Sequence, residues 1–102
     1  MSIQSLIEGR NRLGRMDTRK EGPWRIETDD WDDFSGKEYE LWHYGTRMCR
    51  WRESARDGVE ILIVNTGYGS VSDQNGMNIL FRTLGVKAYY SRKGGAEIRF
   101  DD

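Results

Sequence analysis

The most continuous apolar run in the chain is Val59 to Val64, where Ile61, Leu62, Ile63 and Val64 follow one another with no polar alternation. Apolar side chains on both alternating faces predict a central strand covered on both sides. The run breaks at Asn65, Thr66, Gly67, Tyr68 and Gly69, where glycine opens backbone angles closed to other residues. A helical period follows, with Met77, Leu80, Phe81 and Leu84 recurring at one-turn and two-turn spacings. Ser70 and Asp73 stand at capping-box spacing, Ser72 is an alternative cap, and Gly85 suits the residue just past a helix end. Strand, glycine turn and capped helix between Ile61 and Gly85 form the best-defined element of the chain.

Weaker patterns lie on either side. Glu38 to Tyr44 alternate as a strand, Gly45 marks a tight turn, and Thr46 to Arg52 complete a hairpin. Asp57-Gly58 signals the next turn, and Gly94-Gly95 closes a last hairpin between Val86 to Lys93 and Ala96 to Phe100. Near the start, Ile3, Leu6, Ile7 and Leu13 fall on one side of a helix over residues 3–15, with Ser5 and Glu8 as its capping box. That helix either docks on the domain or binds a partner. No clear period follows until Trp24, where Trp24 to Thr28 reads as a short edge strand. The order predicts an α+β fold: an antiparallel sheet of about five strands, one helix packed across it, and a short N-terminal helix. Residues 1–20 are expected as an amphipathic, flexible segment and residues 21–102 as the single domain.

Composition narrows the class. A chain of 102 residues holds one ordinary core, and 36% hydrophobic against 32% charged residues is polar for a globular domain. Four Trp, five Tyr and three Phe supply large units of buried area. The single Cys49 allows no intrachain disulfide, and no stretch is apolar enough for a signal peptide or membrane span, so a cytoplasmic protein without membrane contact is expected. The net charge of −1 hides an uneven distribution. Residues 29–40 carry Asp29, Asp30, Asp32, Asp33, Glu38 and Glu40 against Lys37, whereas residues 47–56 carry Arg47, Arg50, Arg52 and Arg56 against Glu53. Residues 82–99 are again basic, with Arg82, Lys87, Arg92, Lys93 and Arg99 against Glu97.

Candidate chemistry is sparse. One histidine, His43, and one cysteine do not make a structural zinc site, and the aspartates at 29 to 33 lack the spacing and glycine of a calcium loop. No metal and no cofactor are expected. His43 could serve Cys49 or a distant serine as a base, but nothing in the spacing singles out a partner, and no catalytic residue or enzyme activity is expected. Gly67, Gly69, Ser70 and Ser72 have the general layout of an anion site at a helix start, without the Lys-Ser/Thr of a P-loop or a third glycine. A structural turn is the stronger reading of those four. Trp42, Tyr44, Arg47 and Trp51 on one hairpin face, with Arg50, Arg52, Arg92 and Lys93 nearby, would supply stacking and phosphate pairing for nucleic acid. The same residue types also serve as core and as protein-interface anchors.

From Tyr39 onward the chain resembles a class of small domains found in tailed bacteriophage genomes. The resemblance lies in Tyr44-Gly45-Thr46, then Asn65-Thr66-Gly67-Tyr68-Gly69-Ser70-Val71-Ser72, then Asn78, then the hairpin from Tyr89 to Ile98. Tyr68 stands where tryptophan is frequent in that class, and Gln74 lies near a position that is often lysine. The resemblance carries no established activity; it implies a phage accessory protein acting in an infected bacterium. Together with the separated acidic and basic segments, it leads to the expectation of a non-enzymatic protein that binds a host protein. Nucleic-acid binding through the Arg and aromatic set is the alternative, and self-association is a further one.

Overall fold

The alternation read at Glu38 to Tyr44 and Thr46 to Arg52 builds the centre of the sheet. In the computed structural model, which describes residues 2–12, 18–30 and 36–101, five strands run β1 (Thr18–Glu21), β2 (Trp24–Asp30), β3 (Lys37–His43), β4 (Thr46–Ser54) and β5 (Gly58–Val64). They pair antiparallel in chain order, a simple meander. Helix α2 (Val71–Leu84) packs across one face, and β6 (Ala88–Ser91) pairs with β7 (Glu97–Phe100) in a separate hairpin laid against α2. The fold is thus α+β, with a five-stranded antiparallel sheet, a helix across it and a short N-terminal helix.

Strand parity divides the sheet into two unlike faces. Trp24 and Ile26 of β2, Tyr39, Leu41 and His43 of β3, and Cys49 and Trp51 of β4 are buried. Tyr39 stands opposite Trp51, and Leu41 opposite Cys49. On the other face Glu38 stands opposite Arg52 and Glu40 opposite Arg50, a cross-strand charge ladder. A bulge after Leu41 inserts Met48 as an extra residue, so Met48 and Cys49 are both buried.

Contrary to the expectation of a central, doubly covered strand, β5 lies at the sheet edge, with Leu62 36% and Ile63 41% exposed. The physical reason is the meander: each strand pairs with its sequence neighbour, so the last falls at the rim. A second bulge places Arg50 opposite Ile63 and Trp51 opposite Ile61, leaving Leu62 as the extra residue. Only Val59, Ile61 and Val64 of β5 pack on the core.

Helix α2 starts at the expected cap. Ser70 Oγ accepts the Asp73 N–H at 3.0 Å, and the Asp73 carboxylate accepts the Ser70 N–H at 3.1 Å, closing the capping box. Gly85, at φ 73°, ends the helix in the left-handed conformation. The final hairpin is fastened by Asn78, whose side chain accepts the Tyr90 N–H at 2.7 Å and donates to the Tyr90 carbonyl at 3.1 Å.

Helix α1 spans Ile3–Glu8 and continues as a 3-10 turn over Gly9–Arg12; the remainder of the expected helix lies outside the described residues. Its cap is Ser2 rather than Ser5, because Ser2 Oγ accepts the Ser5 N–H. Leu6 and Ile7 are buried in the same core as the sheet, and α1 packs against α2. Arg10 pairs with Glu53 of β4, and Glu53 also accepts the Trp51 indole N–H at 3.0 Å. The described helical part, residues 3–12, is docked on the domain, and Thr18–Glu21 form β1, a strand with no period in the sequence.

Candidate functional site

Strand parity directs His43, with Tyr39 and Leu41, to the face covered by α2. There it is 5% exposed and meets the first turn of the helix. His43 Nδ1 lies 2.6 Å from Asp73 Oδ1, and His43 Nε2 lies 3.2 Å from Ser72 Oγ. The imidazole stacks on Trp24, with ring centres 4.0 Å apart and planes 13° from parallel, and Tyr44 tilts against it at 4.7 Å. Trp24 reaches this position because residue 76 is glycine: a Cβ there would stand 2.0 Å from Trp24 Cζ2.

Asp73 is 1% exposed and fully engaged. Oδ1 faces His43, and Oδ2 accepts the N–H groups of Tyr68 and Ser70, each at 3.1 Å. Burial pushes its carboxyl upward, but the bonds from His43, Ser70 and Tyr68 together outweigh that and hold it below the ordinary 3.8. A carboxylate only accepts, so Nδ1 of His43 carries a proton, and in the neutral ring Nε2 is then the acceptor that faces the Ser72 hydroxyl. Ser72 itself is exposed. The line of groups therefore runs from a buried carboxylate, through a buried imidazole, to a hydroxyl at the surface.

The glycine turn supports this arrangement. Gly67 and Gly69 adopt φ of 63° and 73°. Their N–H groups are taken by Asn65 Oδ1 and the Thr66 carbonyl, and those of Tyr68 and Ser70 by Asp73. The turn at Gly67, Gly69, Ser70 and Ser72 is thus built as a structural one: the N–H groups an anion would need at Gly67, Gly69 and Ser70 are already taken, by Asn65, Thr66 and Asp73 respectively. Tyr68 projects from this turn 87% exposed, and Tyr44, 69% exposed, holds a positive φ of 55° with its N–H on the Pro23 carbonyl. A bulky side chain at positive φ is strained, and such strain concentrates at functional sites. Beside it a cleft of about 470 Å³ is lined by Lys20, Gly22, Pro23, Trp24, Arg25 and Tyr44.

The Arg and aromatic set is not brought together. Trp51 points into the core and stacks on Tyr39 at 5.4 Å, whereas Trp42 faces outward beneath Arg25, whose guanidinium carbon sits 4.9 Å from the ring centre. The parity of β4 decides this, because Trp51 pairs with inward Tyr39 while Trp42 pairs with Arg47. Arg47 bonds Glu40 at 3.1 Å, and Arg50 and Arg52 converge on Glu38, itself 3% exposed. Arg92 lies on the hairpin against α2 and donates to the Gly69 carbonyl at 2.7 Å, with exposed Lys93 next to it. No family model, curated protein or solved structure matches this chain.

Cys49 does not meet His43; it is fully buried in apolar surroundings, which push its thiol up to about 12. Among the described residues no three His, Cys, Asp or Glu side chains gather as metal ligands, and no helix is long and apolar enough to cross a membrane. The acidic block is only partly placed: Glu38 and Glu40 are on the charge ladder, and Asp32 and Asp33 lie outside the described residues. Sequence reasoning missed the meeting of His43 with Ser72 and Asp73 and the part played by Trp24 and Gly76. One signal was present: His43 shares parity with Tyr39 and Leu41, and a histidine on a core face needs a polar partner.

Proposed function

We propose that this chain is a small accessory protein that binds a host polypeptide, taking it up as an added strand along β5. The observation that carries this reading is the open edge itself. Among the described residues β4 is the only strand paired with β5, and Leu62 and Ile63 stand outward there. Soluble proteins usually blunt such an edge with lysine, proline or a covering element, since its free backbone groups template further pairing. β5 has only one charge, Glu60, and the bulge at Leu62 as protection of this kind, with neither lysine nor proline over residues 58–64. Strand addition uses this combination, main-chain bonds for affinity and alternate side chains for selectivity. The resemblance to bacteriophage domains supplies the setting of an infected bacterium.

Nucleic-acid binding has less support, because Arg47, Arg50 and Arg52 are already paired with carboxylates that a phosphate would have to displace. The deciding experiment is recovery of tagged chain from infected cells, with Ile63→Lys purified in parallel. One host protein retained by the original chain and lost with Ile63→Lys is the expected result. Equal recovery with both, or none with either, would overturn the reading. Light scattering on the purified chain separates a host partner from a second copy paired edge to edge, which doubles the mass without any extract.

A further inference from the structure

The geometry points to Ser72 as a nucleophile for carboxylic esters, with His43 as its general base and Asp73 as the residue that positions the imidazole. This goes beyond partner binding and uses a different part of the molecule. Three features carry it. The order of contacts, hydroxyl to Nε2 and Nδ1 to carboxylate, at 3.2 and 2.6 Å, is that of an activated serine. Exposure follows the same order, with His43 at 5% and Asp73 at 1% behind a solvent-facing Ser72. And helix capping does not need it: Ser70 and Asp73 close the box by themselves, so neither His43 nor Ser72 is required to start α2.

The surroundings fit acyl transfer. Trp24 and Tyr44 contact the imidazole ring and Asp73 holds its Nδ1, which fixes the orientation of Nε2. The N–H groups of Val71 and Ser72 lie in the first helical turn, where no intrahelical acceptor exists, and among the described residues none other reaches them. They are the donors available to a developing oxyanion. The cleft formed by Trp24, Tyr44, Lys20 and Arg25 shares its aromatic walls with the His43 contacts. Its two rings suit an ester with a planar aromatic group, whereas Arg25 is already paired with Glu27 at 3.1 Å and laid over Trp42.

In the first step Ser72 Oγ bonds to the ester carbonyl carbon while its proton passes to His43 Nε2. Collapse of the tetrahedral adduct breaks the carbon–oxygen bond of the ester, and the departing alcohol takes that proton. Water then adds to the acyl-serine, gives a proton to Nε2, and the acid leaves as Ser72 recovers it. Ester and water become acid and alcohol, with no other reactant.

The full chain is treated with a fluorophosphonate probe and mapped by peptide mass spectrometry, and p-nitrophenyl acetate hydrolysis is followed in parallel. Labelling at Ser72 is expected, with hydrolysis falling about 100-fold in Ser72→Ala, the scale of a lost nucleophile with its base. Ser72 is exposed, so that variant tests chemistry without opening the core. Asp73→Asn reverses the tautomer preference and should cut Ser72 labelling by a similar factor while the circular dichroism spectrum is unchanged; if that variant unfolds, the decision rests on Ser72→Ala. Labelling confined to Tyr44 or Tyr68, no labelling, or equal hydrolysis by Ser72→Ala would overturn the assignment.

Discussion

Gly76 shows how one residue ties helix to sheet. Helix propensity alone favours alanine over glycine in a helix interior by about 1 kcal/mol. Here a Cβ would stand 2.0 and 2.3 Å from Trp24 Cζ2 and Cη2, and Trp24 is held in place by its stack on His43. Gly76→Ala should therefore destabilise, by about 3 kcal/mol in denaturant unfolding, as overpacked cores do. Asp73 gives a second expectation. Its folded carboxyl titrates below the ordinary 3.8, so its ionised form contributes stability that is complete above that value. That contribution is lost as pH falls through the lower, folded value. Thermal midpoints should drop steeply in this acid range, and Asp73→Asn should flatten that part of the profile.

At the scale of elements, the sequence was most legible where a local rule acts alone. The Ser70 to Asp73 box, the Gly85 end and the β3–β4 hairpin are set by short-range chemistry and stand where they were read. β1 was invisible, because Thr18-Arg19-Lys20-Glu21 has no apolar alternation and is a strand through its pairing with β2. β5 was read as central because four apolar residues in a row look doubly covered, whereas a bulge opposite β4 turns Leu62 and Ile63 outward. The last hairpin depends on one side chain. Asn78→Ala removes both bonds to the Tyr90 backbone and should cost about 2 kcal/mol, with faster hydrogen exchange at Tyr90 as the direct sign.

For the whole molecule the N-terminal segment is a structural part. Leu6 and Ile7 are 1% and 0% exposed, and each buried side chain of this size contributes about 1.5–3 kcal/mol. Removing residues 1–12 should then lower stability by about 4 kcal/mol, a large share of the 5–15 kcal/mol typical of a domain, and expose apolar surface of α2. Calorimetry on the shortened chain checks this. The sequence by itself determined the α+β class, the capped helix and its glycine turn, because each follows from parity, periodicity or spacing within a few residues. Only the tertiary structure decided that β5 is an edge, that Trp51 is core, and that His43 meets Ser72 and Asp73 across 29 and 30 residues of chain. Those outcomes depend on which strands pair, where a bulge falls and which helix face lands on the sheet, and no local pattern encodes them.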